Sequence, residues 1–310
     1  MKYLILLTLM QFFWASSYTA MKLAMTEMPM GLVMILRYGI AGIILLVTSC
    51  IVTGRRSWRI STQDFMIMLL VGVLNFTLSP FLQLMSLKLT YATDTSVLVA
   101  FEPMITALLA VFILKERFSK RTLLSFIVAT IGVLIMSDIK PGQDNVGLTS
   151  RLMGNFLFLA SVFCEALYSI TSRYTTQRTS PLRVIALMTI AGAVTNTIIY
   201  SSTLTAENFS RIGSIGWGSI LFLAICCSVL GYGAWTFLAK ITPVNRLTLS
   251  LFLQPLFGSI VAYFTLNEIP TKHTFIGACI VISSLLFWVV THLNKLMQGH
   301  IQERRRARGA

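Results

Sequence analysis

Long apolar segments separated by short polar stretches follow one another along the whole chain. Ten of them are about as long as the roughly 20 residues that a helix needs to cross a bilayer. Their apolar residues do not alternate with period two, which is the pattern of membrane barrel strands. The pattern therefore predicts ten membrane-spanning helices, at about 3–25, 30–52, 64–87, 92–114, 120–138, 152–173, 182–202, 215–239, 243–266 and 271–293.

The connections between these segments are short. The longest, 138–151 and 203–214, cannot hold a soluble domain, so any site must be formed by the helices themselves. The opening MKYLILLTLMQFFWASS also resembles a secretory signal peptide, with a basic start, an apolar stretch and small residues. Its apolar run continues through Met25, and cleavage would leave an odd number of segments, so we expect it to be retained as a helix.

Composition supports a lipid environment. The chain has 310 residues, of which 55% are hydrophobic and 12% charged, with a mean hydropathy of +0.78, which excludes an ordinary water-soluble domain. The five cysteines lie inside or at the edge of predicted spans without metal-site or disulfide spacing, and the three histidines lie near span ends. We therefore expect no metal and no cofactor.

The net charge of +14 reports topology, because 18 of the 25 basic residues fall in segments on the same side as the N-terminus. The positive-inside rule places that side in the cytoplasm and predicts a multi-pass protein of a bacterial inner membrane with both termini cytoplasmic. The tail IQERRRARGA could bind nucleic acid, but a basic cluster after the last span is typical of anchoring to anionic lipid. We expect the lipid bilayer, and no nucleic acid, as its partner.

The chain also contains an internal repeat. An offset of 152 residues superposes the hydrophobic spans and aligns Pro29 with Pro181, Lys88 with Lys240, Pro103 with Pro255 and Glu116 with Glu268. Five spans per half is an odd number, so the second half must enter the membrane from the opposite face. The predicted fold is an all-α membrane protein in which ten transmembrane helices form two inverted five-helix repeats around a central cavity. The predicted units are 1–138, a linker 139–151, 152–294 and a basic tail 295–310.

Two segments carry a more specific signal. TDTSVLVAFEPMITALLAVFILKERFS and its repeat RLTLSLFLQPLFGSIVAYFTLNEIP resemble the EamA-type ten-helix members of the drug/metabolite transporter superfamily, as do FFWASSYTAMK and FCEALYSITSR. Aligning the last two segments places Glu165 opposite Trp14, and Gln254 replaces an acid. The resemblance covers nearly the whole chain and implies a secondary transporter or exporter of amino acids, metabolites or drugs without naming the substrate.

Glu102 is the first candidate for a transport site. It lies near the centre of the fourth span, where a charge costs on the order of 3 kcal/mol. Its counterpart Gln254 lies at equivalent depth in the ninth span, and each precedes a proline, Pro103 or Pro255. A proline frees a carbonyl four residues earlier, and such broken helices can line a binding cavity. The alternative is that the prolines only kink the helices for packing.

Polar residues at helical spacing mark further candidates on the first, third, sixth and eighth spans. The alternative for each stripe is hydrogen bonding between helices. Arg37, inside the second span, either snorkels outward or pairs with Glu102, Glu165 or a substrate carboxylate. The complete predicted substrate site is Trp14, Tyr18, Arg37, Asn75, Gln83, Glu102, Glu165, Tyr168, Tyr232, Trp235 and Gln254, with helix breaks at Pro80, Pro103 and Pro255.

Taken with the resemblance, which implies a secondary transporter or exporter, these features predict an exporter of amino acids or related small amphipathic metabolites that works by alternating access, with Glu102 or Glu165 as a candidate proton carrier. A lipid flippase or a facilitative pore with the same repeat is the alternative. A membrane enzyme is disfavoured because the four aspartates are scattered singly at span ends and loops. The coupling ion, and the choice between monomer and homodimer, stay open.

Overall fold

Helices make up every regular element in the part of the chain that the computed structural model describes, residues 2–53, 60–90, 98–99, 101–116, 119–136, 147–266, 272–273 and 275–287. Numbered in chain order, the α-helices are α1 (Lys2–Ala24), α2 (Met30–Thr53), α3 (Thr62–Val73), α4 (Ser79–Leu89), α5 (Glu102–Leu114), α6 (Lys120–Met136), α7 (Leu148–Thr176), α8 (Pro181–Ile199), α9 (Ala206–Ser210), α10 (Ser214–Leu221), α11 (Gly233–Ile241), α12 (Val244–Leu247), α13 (Leu253–Leu266) and α14 (Phe275–Phe287).

Several of these helices are suited to a bilayer. Six stretches of the described chain are long and apolar enough to cross it, namely Met30–Thr53, Thr62–Ser86, Thr149–Thr176, Pro181–Ile199, Ser214–Ile241 and Val244–Val261. Large apolar side chains face outward, with exposed fractions of 77% for Ile51 and 76% for Phe112. An apolar outer surface is what lipid contact requires. The all-helical membrane fold is therefore confirmed, whereas ten spans and an inverted repeat remain predictions.

Two boundaries differ from the sequence-based expectation. α7 begins at Leu148, so the helix already includes Arg151, which we had assigned to the linker 139–151. The loop predicted at 203–214 contains the short helix α9. Both differences arise because amphipathic or polar helical turns extend beyond the apolar stretch that hydropathy detects. Glu268 and the tail 295–310 lie outside the described residues.

Two helices are interrupted by π-helical segments, which contain one more residue per turn than an α-helix. The first, Leu74–Leu78, joins α3 to α4, and the second, Phe222–Tyr232, joins α10 to α11. Shifted by the repeat offset of 152, the first range becomes 226–230, which lies inside the second. The same irregularity thus recurs at matched positions of the two sequence halves.

Each predicted helix-breaking proline lies in the first turn of an α-helix. Pro80 follows the first π-helical segment at the start of α4, and Pro103 is the second residue of α5. Pro255 is the third residue of α13, which follows a 3-10 segment, Thr248–Phe252. A proline has no N–H group, so it cannot donate a hydrogen bond to the preceding turn. Pro103 stands at the start of α5, whereas Pro80 and Pro255 lie inside the continuous helical stretches Thr62–Ser86 and Val244–Val261, where π or 3-10 turns pass into an α-helix.

Glycines allow the two halves to approach closely. A Cβ on Gly72 of α3 would overlap the backbone of Met188 in α8, and a Cβ on Gly192 of α8 would overlap the side chain of Phe76. The backbones of α3 and α8 therefore meet with almost no side chain between them. This small-residue contact is the usual way in which helices pack tightly inside a membrane.

The remaining contacts between elements follow a matched pattern. α1 packs on the second π-helical segment and on α13, while α7 packs on α4 and α5. Under the repeat offset, α1 corresponds to α7 and α13 to α5, so the contact of α1 with α13 is exchanged for that of α7 with α5, and α2 packs on its own counterpart, α8. This exchange is what a pseudo-two-fold axis between α2 and α8 would produce, and it supports the predicted repeat.

Candidate functional site

A cavity of about 390 Å³ lies between the two sequence halves. This is within the range of pockets that hold small molecules. It is formed by α1, α2, α4, α5, α7 and α11, the two π-helical segments, and the junction between the 3-10 segment and α13. Its lining combines two carboxyl groups, two basic groups, three amides and five aromatic rings. Such a lining suits a solute with both charged and apolar parts.

Ten of the eleven predicted site residues line this one cavity, and so does Pro80. They are Trp14, Arg37, Asn75, Gln83, Glu102, Glu165, Tyr168, Tyr232, Trp235 and Gln254. The eleventh, Tyr18, has its side chain outside the part of the structure that is described. Whether the cavity binds a substrate remains a prediction.

Sequence reasoning missed several lining residues. Tyr38 adjoins Arg37 on α2, and consecutive helical residues point about 100° apart, so no single stripe joins them. Lys22 and Met25 lie at the end of α1, which reads from the sequence as an ordinary span boundary. The other missed residues are Ser17, Met21, Met30, Leu84, Ser169 and Leu251. Most are small or apolar and carry no sequence signal distinct from packing.

Glu165 is held by neutral donors from the neighbouring α4. Its Oε1 accepts hydrogen bonds from Ser79 Oγ at 3.0 Å and from Gln83 Nε2 at 2.8 Å. Among the residues that the structure describes, neither Glu165 nor Glu102 forms an ion pair. Two carboxyl groups therefore line the cavity without a basic partner from the described protein.

Gln254 has a different setting from its counterpart Glu102. Its Nε2 donates to Gln11 Oε1 of α1 at 2.9 Å, and Gln11 Nε2 in turn donates to Ser250 Oγ at 2.8 Å. This amide chain ties α13 to α1 across the two halves. Glu102 accepts no hydrogen bond from the described residues, so its carboxyl group is not used to join helices.

Aromatic rings form one wall of the cavity. The ring centre of Tyr232 lies 5.1 Å from that of Trp14 and 5.2 Å from that of Tyr168, and Trp14 lies 5.5 Å from Trp235. Hydrogen bonds fix this group: Trp14 Nε1 donates to the carbonyl of Cys227 at 3.1 Å, and the Tyr168 hydroxyl lies 2.7 Å from that of Thr236. The rings are therefore held in place before any solute enters.

Arg37 points into the bundle and does not snorkel outward. Only 4% of its surface is exposed, and its Nε donates to Ser228 Oγ at 3.1 Å. Its guanidinium carbon lies 4.9 Å from the ring centre of Tyr38, a cation–π contact. Ser228 belongs to the second π-helical segment, so this irregular segment positions the arginine at the cavity wall. The hydrogen bond to Ser228 is thus one of the contacts that hold Arg37 inside the bundle.

Two lining side chains are buried without a hydrogen-bond partner among the described residues. These are both polar atoms of the Asn75 amide and the indole Nε1 of Trp235, in residues that are 2% and 1% exposed. Buried polar groups are normally hydrogen-bonded. Asn75 lies in the first π-helical segment, a type of irregularity common at functional sites. Both groups are therefore candidates to bind a solute.

The cavity reaches the surface at one end of the bundle. Lys22 and Met25 at the end of α1 are exposed and line it, together with Met30 at the start of α2. At this same end Glu27 Oε2 accepts backbone hydrogen bonds from Gly213 and Gly216, each at 2.8 Å. The carboxylate thereby caps the start of α10, where it meets the positive end of the helix dipole.

At the other end of the bundle, the carboxylate of Glu116 joins the two halves. Glu116 accepts hydrogen bonds from the backbone N–H groups of Val244 and Asn245 at 2.9 and 3.0 Å, and its carboxylate lies 4.0 Å from Arg173. Arg173 also donates to the carbonyls of Ala239 and Lys240 at the end of α11. The stretch Ser214–Ile241 is 28 residues, about 40 Å, long, so the Glu27 and Glu116 contacts lie at opposite ends of the bundle.

Comparison with known proteins places this geometry in context. The model of the EamA-like transporter family matches residues 1–138 and 152–290. The chain is 26% identical over 253 residues to the uncharacterized transporter YyaM of Bacillus subtilis (strain 168), covering 81% of each chain. It is 24% identical over 276 residues to the uncharacterized transporter YetK of the same organism, covering 89% of this chain and 83% of that one.

The fold also has a solved counterpart. A crystal structure of another protein superposes with a TM-score of 0.78 at 16% sequence identity, over 94% of this chain and 97% of that chain. At this identity the likeness concerns the fold alone. It extends across both halves and therefore across the helices that form the cavity.

Proposed function

Because the chain belongs to the EamA-like transporter family, we propose that it is a secondary-active exporter of amino acids or related small amphipathic metabolites. The protein acts in a bacterial inner membrane with both termini in the cytoplasm. The observation that carries the proposal is the cavity of about 390 Å³, which polar and aromatic groups from both halves line and which reaches the surface at one end of the bundle, while Glu116 joins the halves at the other end. This is the geometry expected of one state in an alternating-access cycle.

In this cycle the end held by Glu116 is the closed one, and it must open while the exposed end shuts. The contacts that change are those of Glu27 and Glu116, because each of these carboxylates lies beyond a helix end in one half and binds a helix start in the other. Glu116 holds Val244 and Asn245 at the closed end, and Glu27 holds Gly213 and Gly216 at the exposed end. Helix-capping hydrogen bonds of this kind contribute only about 1 kcal/mol each, so they can be exchanged during transport.

Coupling to protons is part of the proposal. A carboxyl group that lines the cavity can hold either a proton or a basic solute, and competition between the two produces antiport. Glu102 and Glu165 are the two groups in position to do this. A proton taken up on one side of the membrane would then leave the carboxyl group when the solute binds from the other side of the membrane.

Flux into proteoliposomes tests the function. The purified full chain is reconstituted, the vesicles are loaded with unlabelled amino acid, and exchange with labelled amino acid is followed with and without a pH difference. We expect saturable exchange, and accumulation that depends on the pH difference. Equal steady-state accumulation under both conditions contradicts the proton role. Lipid scrambling or ion conductance without saturable exchange identifies the flippase or the pore instead.

A further inference from the structure

We propose that the feature of the substrate that this cavity recognises is a protonated amine, bound by Glu102 and Glu165 beside the aromatic wall. The inference rests on the proposed transport function and specifies the chemical class of its substrate. It excludes solutes that carry only a carboxylate, a phosphate or hydroxyl groups.

The first support is the unused hydrogen-bonding capacity of the two carboxyl groups. Both hydrogen bonds to Glu165 end on Oε1, and among the described residues none reaches Oε2. Glu102 accepts none from any described residue. A primary ammonium group has three N–H donors, so it can donate to carboxylate oxygens of both residues. A neutral hydroxyl group offers a single donor and no charge.

The second support is the aromatic wall. Trp14, Tyr168, Tyr232 and Trp235 line the same cavity as the two acids and lie against one another with neighbouring ring centres 5.1–5.5 Å apart. The faces of such rings attract cations, and an aromatic cage beside a carboxylate is a general solution for binding ammonium groups. The same rings offer an apolar surface to the rest of the solute. An anion would meet two carboxyl groups and the negative faces of the rings.

Two basic residues, Lys22 and Arg37, also line the cavity, and their positions are compatible with an amine bound at the two acids. Lys22 lies eight residues beyond Trp14 on α1, which places it about 12 Å nearer the exposed end of the cavity. Arg37 is held in the same cavity by Ser228 and the ring of Tyr38. A zwitterion can therefore direct its amine to the acids and its carboxylate to Arg37. A compound without an amine leaves the acids unsatisfied.

Four phenyl compounds test the contributions of the amine and of the carboxylate separately. Phenylalanine has an amine and a carboxylate, 2-phenylethylamine has only the amine, 3-phenylpropionate only the carboxylate, and 3-phenylpropanol neither. Binding to the purified full chain is measured at neutral pH by tryptophan fluorescence, because two tryptophans, Trp14 and Trp235, line the cavity. Charge-assisted hydrogen bonds predict that the two amines bind about tenfold more tightly than the other two compounds.

Matched variants assign the preference to the cavity. In Glu102→Gln and Glu165→Gln the advantage of the amines should fall to less than about threefold, since the neutral amide keeps the shape but loses the charge. The control is Glu207→Gln, the same change at an exposed residue that pairs with Arg211 outside the cavity. It should keep the wild-type preference.

The outcomes separate the two proposals. Binding of 3-phenylpropionate as tight as that of 2-phenylethylamine overturns the amine assignment, and so does an amine preference that survives in both glutamate variants. If the amines bind selectively but proteoliposomes show no saturable exchange of phenylalanine, the amine assignment stands and the transport function fails. Saturable transport of a solute that carries no amine leaves the transport function intact and contradicts the assignment.

Discussion

The two halves of the chain place different chemistry at matched positions. In the first half Glu102 lines the cavity and accepts no hydrogen bond from the described residues, whereas its counterpart Gln254 donates to Gln11 and so ties α13 to α1. The scaffold features around them are alike, because a proline follows each residue and a π-helical segment occurs at the same register in each half. The first half thus leaves a carboxyl group in the cavity, whereas the second half has an amide that joins two helices.

The largest effect is expected from removing the two matched side-chain groups, one at a time. Glu102→Gln removes a carboxyl group from the cavity and should lower the transport rate about 100-fold, a loss typical of a group that contacts the solute directly. Gln254→Ala removes only a hydrogen bond between helices and should lower the rate about threefold, with a modest loss of stability. Initial rates of exchange in proteoliposomes measure both. Equal losses in the two variants would mean that the halves share the site equally.

The contact between the halves can be tested separately from the site. Gly72→Ala adds a methyl group where the backbone of Met188 already lies, and overpacking of this kind costs about 2 kcal/mol. Gly39→Ala is the matched control, because an added Cβ at Gly39 meets nothing within 4 Å. Thermal unfolding of the purified protein in detergent should show a lower midpoint for Gly72→Ala alone. An unchanged midpoint in both variants argues against tight packing of α3 on α8.

Arg37 allows a test of which half of the chain binds the carboxylate of a zwitterion. Arg37→Gln should weaken binding of phenylalanine about tenfold and leave 2-phenylethylamine almost unchanged, because only the former has a carboxylate for the guanidinium. Arg37→Lys keeps the charge and should recover part of the loss. Fluorescence titration measures both ligands in each variant. A parallel loss for the two ligands would assign Arg37 to the packing of α2 on the second π-helical segment.

The last prediction concerns the hydrogen bonds that Glu116 accepts from Val244 and Asn245. Glu116→Gln weakens the cap on α12 and should shift the population about fivefold toward the state in which the closed end is open, a change of about 1 kcal/mol. A cysteine introduced at Ser169 in the cavity wall reports this as slower reaction with an impermeant maleimide added at the exposed end. Glu207→Gln serves as the control. Faster reaction in Glu116→Gln is the result that contradicts this gate.

Sequence patterns predicted the all-helical membrane fold, and ten residues of the predicted substrate site line the cavity. Glu102 and the stripe that contains Asn75 and Gln83 stand out because polar residues inside apolar spans carry an energetic cost. The fastening between Gln254 and Gln11 was not predicted, since it joins residues 243 positions apart. Hydropathy registers composition alone, so it gave no sign of the π-helical segments, which depend on the hydrogen-bond pattern of the backbone. The Glu116 cap was missed for the same reason as the glutamine pair.

The long π-helical segment Phe222–Tyr232 carries a mechanical consequence. A wide turn of this kind contains one surplus residue, and that surplus can migrate along a helix as backbone hydrogen bonds change partner one at a time. Each residue that the surplus passes moves by about 100° around the helix axis and about 1.5 Å along it, while the helix beyond keeps its orientation. Tyr232 and Trp235 lie at and just beyond the end of this segment, so passage of the surplus residue would change which side chains of this helix face the cavity.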